Sequence, residues 1–129
     1  MSKFVTEKVD VIRASQNVEQ LFIDGIGQLD SFEERLKGTV NIKEYPQLLK
    51  YVEHFANGHS VGPKVKYLKG FTLGVKEFEF ITKHLRLYVI QQPGKKLIIF
   101  GGIKQKADSS DNIAIFRNLK KAYLESIIK

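Results

Sequence analysis

Hydrophobic positions recur along this chain with two different periods, and the change falls near residue 63. Residues 3 to 13 alternate loosely, with Val5, Val9 and Val11 among Glu7, Lys8 and Asp10, which predicts a first strand with one buried face. Asn17, with Gln20 three residues later, is a helix-start signal. Val18, Leu21, Phe22, Ile26, Leu29, Phe32 and Leu36 then follow at helical spacing as far as Gly38. Gly25 and Gly27 weaken that helix, so it is expected to break and restart at Asp30 or Ser31, whose side chains would cap a second segment. Pro46 suits a first helical turn, and Leu48, Leu49, Val52, Phe55 and Ala56 form one apolar stripe that stops at Asn57-Gly58.

Beyond Gly62-Pro63 the period shortens. Val75 to Ile81, His84 to Ile90 and Lys96 to Ile103 read as strands, and the short connections at Thr82-Lys83 and Gln91 to Gly94 favour antiparallel pairing. Gly101-Gly102 marks a bulge or a close backbone approach. Asp108-Ser109-Ser110 offers caps for a last helix to about Ile128, with Ile113, Phe116, Leu119, Tyr123, Leu124 and Ile127 as its apolar face. The expected order is strand, helix, helix, three strands, helix. That order describes an α+β layer fold with helices on a small antiparallel sheet, and at 129 residues one domain over 1–129.

Charge sharpens this division. Residues 1 to 62 hold 7 Lys and Arg against 9 Asp and Glu, whereas residues 63 to 129 hold 14 against 5, so the net charge passes from −2 to +9. No acid occurs between Glu79 and Asp108. A basic block of this kind attracts polyanions, with nucleic acid the first class to consider. The chain has no cysteine, which removes disulfides, thiolate nucleophiles and Cys-based zinc sites. With no apolar run of membrane-spanning length, a cytoplasmic protein with no membrane association is expected.

The candidate chemistry lies in the basic half. Strand alternation puts His84, Arg86 and Tyr88 on one face and Leu85, Leu87 and Val89 on the other. The face of Ile98, Phe100 and Gly102 would continue to Lys104 and Lys106, bringing Arg86 and Lys104 to one open end of the sheet. Fixed cations there would bind a phosphodiester and stabilise the added charge of a phosphorane-like transition state. The same lysines also suit a solvated rim guarding edge strands, and Arg86 equally suits an ion pair with Glu77 or Glu79. His84 reads either as a general acid or base or as a surface residue. The three histidines are too scattered for a metal site, and no phosphate loop or nucleophile elbow is present, so no cofactor is expected.

A wider pattern runs from Val18 to Leu124. Val18 to Asp24 precedes a charged helix, and Tyr67-Leu68-Lys69-Gly70 follows a Gly-Pro step. Lys76-Glu77-Phe78-Glu79-Phe80, Leu85-Arg86-Leu87-Tyr88, Gly102-Ile103-Lys104 and a closing amphipathic helix come next. In this order the segments resemble the RelE/HigB-type toxins of bacterial toxin-antitoxin systems, especially the phage-related branch. The resemblance implies a RelE-like fold, with two N-terminal helices on a small twisted antiparallel sheet. It also implies a metal-independent, ribosome-dependent mRNA endonuclease in which the RNA 2′-hydroxyl attacks the adjacent phosphate. By position, Arg86 would hold that phosphate and Lys104 would stabilise charge or assist proton transfer, with His84 as an acid-base candidate. Lys64, Lys66, Lys69, Lys83 and Lys106 would line the RNA groove. The implied partners are mRNA on the ribosome and a cognate antitoxin of helix-turn-helix type. Glu79 and Gln105 depart from the pattern, standing where such toxins often carry basic residues.

Overall fold

The computed structural model describes residues 3–72, 75–104 and 110–127. Strand β1 (Phe4–Lys8) pairs antiparallel with β2 (Val18–Ile23), and a two-residue strand β3 (Ile26–Gly27) folds back on β2. The segment expected to open a helix at Asn17 is therefore a strand. Two causes explain the difference. Asp24 and Gly25 both have positive φ (50° and 85°), as a two-residue type I′ hairpin turn requires, and this local signal overrides the helical spacing. Strand β2 is also covered on both sides, Val18 on one face and Leu21 on the other, so its apolar residues show no clean alternation.

Helix α1 (Gln28–Leu36) starts directly after β3, earlier than the expected caps at Asp30 or Ser31. Its N-cap position is Gly27, which has no side chain to offer. The buried Gln20 of β2 replaces it: Oε1 accepts hydrogen bonds from the backbone N–H groups of Leu29 and Asp30, each at 3.1 Å. A Cβ at Gly27 would lie 2.7 Å from that oxygen, so the missing side chain is what admits the cap. Helix α2 (Tyr45–Ala56) carries Pro46 in its first turn and ends at Asn57, as the stripe predicts.

Strands β4 (Val65–Thr72), β5 (Val75–Ile81), β6 (Leu85–Gln92) and β7 (Lys96–Lys104) form an antiparallel meander. Sequence periodicity omits β4. It is an edge strand in which Lys66 stands between Val65 and Tyr67 and Lys69 follows Leu68, the composition that protects a free edge. The sheet order is β1-β2-β7-β6-β5-β4, with β3 attached to β2. Val18, Glu19 and Gln20 run parallel to Leu97, Ile98 and Ile99, so the seven-stranded sheet is mixed, where an antiparallel one is expected from the resemblance.

The sheet separates two apolar clusters. Helices α1 and α2 cover one face, where Phe32, Leu48 and Val52 meet Phe78, Phe80, Leu87 and Ile99. Helix α3 (Ser110–Ile127) covers the other, where Phe116, Tyr123 and Leu124 meet Leu21, Tyr88, Ile90 and Phe100. The expected caps Asp108 and Ser109 lie outside the described residues. The apolar stripe predicted for α3 is largely the buried one, although Ile127 is exposed.

One ion cluster fixes α3 to the sheet. Glu77 on β5 is buried; its Oε1 accepts from Arg117 Nε at 3.0 Å and its Oε2 from Lys120 Nζ at 2.9 Å. No helix among the described residues is long and apolar enough to cross a membrane.

Candidate nucleic-acid interface

The register gathers most of the cationic candidates at one end of the sheet. Val65 on β4 is opposite Phe80, Ile81 on β5 is opposite Arg86, and Leu85 on β6 is opposite Lys104. The beginnings of β4 and β6 and the ends of β5 and β7 therefore share one rim. Lys64, Lys66, Lys83, His84, Arg86 and Lys104 lie along it, and the three lysines at 64, 66 and 83 are exposed. Lys69 lies farther along β4, past the rim. Lys106 lies outside the described residues.

The rim has two sides, and a bulge decides which residue faces which. Tyr88 is opposite Gly101 but Val89 is opposite Ile99, which leaves Phe100 as an extra residue in β7. Gly101 takes a φ of 126° at this step. Beyond it the alternation reverses. Ile98 and Phe100 face α3, but Gly102 faces α1, where an added Cβ would sit 2.5 Å from the Phe32 ring. Lys104 follows Gly102 to the α1 side, whereas Arg86, two residues before Tyr88, belongs to the α3 side. The expected continuous face from Ile98 through Gly102 to Lys104 does not form. Arg86 and Lys104 share an end of the sheet but approach it from opposite faces.

His84 is held by an acid from the other half of the chain. Its Nδ1 lies 2.6 Å from Glu44 Oε2, and its backbone N–H donates to Glu44 Oε1 at 2.8 Å. Thr82 Oγ1 donates to the same Oε1 at 2.5 Å. Burial would raise the Glu44 carboxyl, but the hydrogen bonds from Thr82 and from the backbone and ring of His84 outweigh it and hold the group below its ordinary value. A carboxylate on Nδ1 orients the imidazole and directs Nε2 toward a reacting group. The His84 side chain is half exposed.

Arg86 is anchored by backbone. Its Nη1 donates to the carbonyls of Thr82 and Leu85 at 2.7 and 2.8 Å, while Glu77, one of the two acids weighed as its partner, is held by Arg117 and Lys120. Among the described residues these bonds engage Nη1, and a guanidinium has further N–H donors with which to meet an anion.

The structure adds two residues that sequence reasoning did not single out. Glu44 precedes Tyr45-Pro46 in a short 3₁₀ turn (Val40–Glu44), and nothing in its local sequence links it to His84. Arg35 stands in the last turn of α1, where its Nη2 donates to the Gly102 carbonyl at 3.2 Å and its guanidinium carbon lies 5.7 Å from the Phe32 ring centre. It brings a cation from the acidic half onto the α1 side of the rim, beside Lys104. Comparisons with family models, with curated proteins and with solved structures return no match for this chain.

Proposed function

We propose that this protein is a toxin-type endoribonuclease of the RelE/HigB kind, cutting mRNA without a metal and so inhibiting translation. The observation that carries the reading is the Glu44–His84 pair on a rim that also holds Arg86, Lys83 and Lys104. An α+β fold with two helices on one face of a strand meander and a last helix on the other supports the reading at the level of fold class. In this scheme the 2′-oxygen of the RNA forms a bond to the adjacent phosphorus while the bond to the 5′-oxygen of the next nucleotide breaks. His84 Nε2 takes the 2′-hydroxyl proton or supplies one to the leaving oxygen, and the rim cations hold the phosphate oxygens. A cognate antitoxin would neutralise the same surface.

Induced expression in a bacterial host is expected to arrest growth and leave mRNA fragments with new 5′-hydroxyl ends. His84→Ala should lower cleavage by about 10²- to 10⁴-fold, the usual range for losing a general acid or base. Unimpaired growth with intact mRNA would refute the reading.

The anchoring of Arg86 Nη1 on two carbonyls favours a second reading, a protein on this fold that binds RNA without cutting it. That reading predicts salt-sensitive RNA binding with no new ends.

A further inference from the structure

The sheet ends in β1 on one side and in β4 on the other. Along β1 the backbone groups alternate in direction. The Lys3 carbonyl accepts from the Asp24 N–H at 2.9 Å and the Val9 N–H donates to the Val18 carbonyl at 3.0 Å, so the odd-numbered residues of this stretch bond to β2. The N–H and C=O groups of Phe4, Thr6 and Lys8 therefore point away from the sheet, where no described strand borders them. An edge of this kind is a template for one more strand.

The side chains of this edge are sorted too. Phe4 packs on the α3 side, its ring centre 6.2 Å from that of Tyr123, and strand alternation puts Thr6 on the same face. Lys3, Val5 and Glu7 share the opposite face and are exposed, Val5 by 41%. Among the described residues neither Lys3 nor Glu7 forms an ion pair. A row that reads cation, apolar, anion is its own complement when turned about a two-fold axis through its centre.

We propose that β1 pairs antiparallel with β1 of a second copy of this chain, about a two-fold axis through Val5. In such a pair an outward-bonding residue must face another, which permits only registers centred on a residue. Centring on Glu7 sets two carboxylates against each other. Centring on Thr6 sets Val5 against Glu7 and Phe4 against Lys8, and centring on Phe4 sets Lys3 against Val5. Centring on Val5 sets Lys3 against Glu7 twice and Val5 against Val5, while Phe4 and Thr6 exchange the backbone hydrogen bonds. Opposite charges facing each other across strands favour pairing and like charges oppose it, which selects this last register. The other edge offers no such fit, since β4 has Lys66 and Lys69 but no acid. The axis stands perpendicular to the sheet, so α1 and α2 of both copies lie on one face and the two cationic rims point to opposite ends. This pairing does not depend on the endonuclease reading.

Sedimentation equilibrium of the full chain tests the proposal. A short edge gives a small interface, so the native chain is expected to pass from monomer to dimer in the micromolar range. Val5→Lys, Lys3→Glu and Glu7→Lys should each be monomeric where the native chain is a dimer, with thermal unfolding as the control for folding. Mixing the Lys3→Glu and Glu7→Lys chains brings opposite charges together at both positions and should restore a dimer that neither forms alone. The chain has no cysteine, so Val5→Cys adds a single thiol. Across a non-hydrogen-bonded pair the two Cα atoms would be about 4.5 Å apart, within disulfide reach, and mild oxidation should link the copies. Lys8→Cys, about 20 Å from its counterpart in this register, should not link. A chain that stays monomeric throughout, or a dimer that survives Val5→Lys or the single charge changes, would overturn the proposal. So would linking through Lys8→Cys in place of Val5→Cys, or assemblies that grow past the dimer by β1 meeting β4 of the next copy.

Discussion

At the scale of single residues, Gly102 shows how close approach replaces side-chain packing. Phe32 of α1 occupies the space its Cβ would fill, and that contact seats the helix directly on the strand backbone. Gly102→Ala is expected to lower stability by about 1–3 kcal/mol, the usual effect of overpacking, as measured by denaturant unfolding. Glu44 provides a pH-dependent counterpart. Its carboxyl is held below 4.5 in the folded chain, so the unfolded state binds the proton more readily. The stability this contributes is complete above the unfolded value and disappears as pH falls through the lower folded one. Thermal scans should show stability declining below about pH 4.5, and Glu44→Gln should flatten that decline. Neither the His84–Glu44 pair nor the Gln20 cap is visible in sequence, because each joins residues on different elements that only the fold brings together.

At the scale of elements, the last three strands of the meander were legible, and its edge strand β4 and the N-terminal hairpin were not. Thr82-Lys83 and Pro93-Gly94 punctuate β5, β6 and β7 clearly, and the alternation of Leu85, Leu87 and Val89 names the β6 face that packs on α1 and α2, although the opposite face, with Tyr88 and Ile90, is buried under α3 as well. Around Val18 to Phe22 the same apolar residues satisfy a helical and a strand pattern, and the Asp24-Gly25 turn is what separates the two. Gly101-Gly102 does mark a bulge, but the reversal of faces beyond it follows from the register, which sequence does not provide. Helix α3 depends on a charged contact as well as its apolar stripe. Glu77→Gln would remove the buried charge that Arg117 and Lys120 both hold, and is expected to destabilise the fold by about 3–5 kcal/mol. Hydrogen exchange across α3, compared between native and variant chains, would locate the loss in that helix.

At the scale of the whole molecule, the surplus of positive charge has a definite place. It begins as a difference between the two halves of the sequence, and folding collects part of it, with Arg35 from the acidic half, on one rim of the sheet. If about four of these cations meet phosphates, the logarithm of the affinity for single-stranded RNA should fall with the logarithm of salt concentration with a slope of roughly −3. Lys83→Ala and Lys104→Ala should each make that slope shallower by about 0.7. Filter binding at several salt concentrations reads both quantities, and a slope near zero would exclude a phosphate-driven surface.

The short parallel seam between β2 and β7 also sets the timetable of folding. Val18 cannot meet Leu97 until the ribosome has made nearly the whole meander, several seconds later at ordinary synthesis rates. During that interval β2 has its outer neighbour but not its inner one, and its apolar side chains remain open to other nascent chains. Contacts this distant in sequence also slow the final closure of the sheet. A chain stopped before Lys96 would keep that edge unpaired permanently, and so would be prone to aggregate.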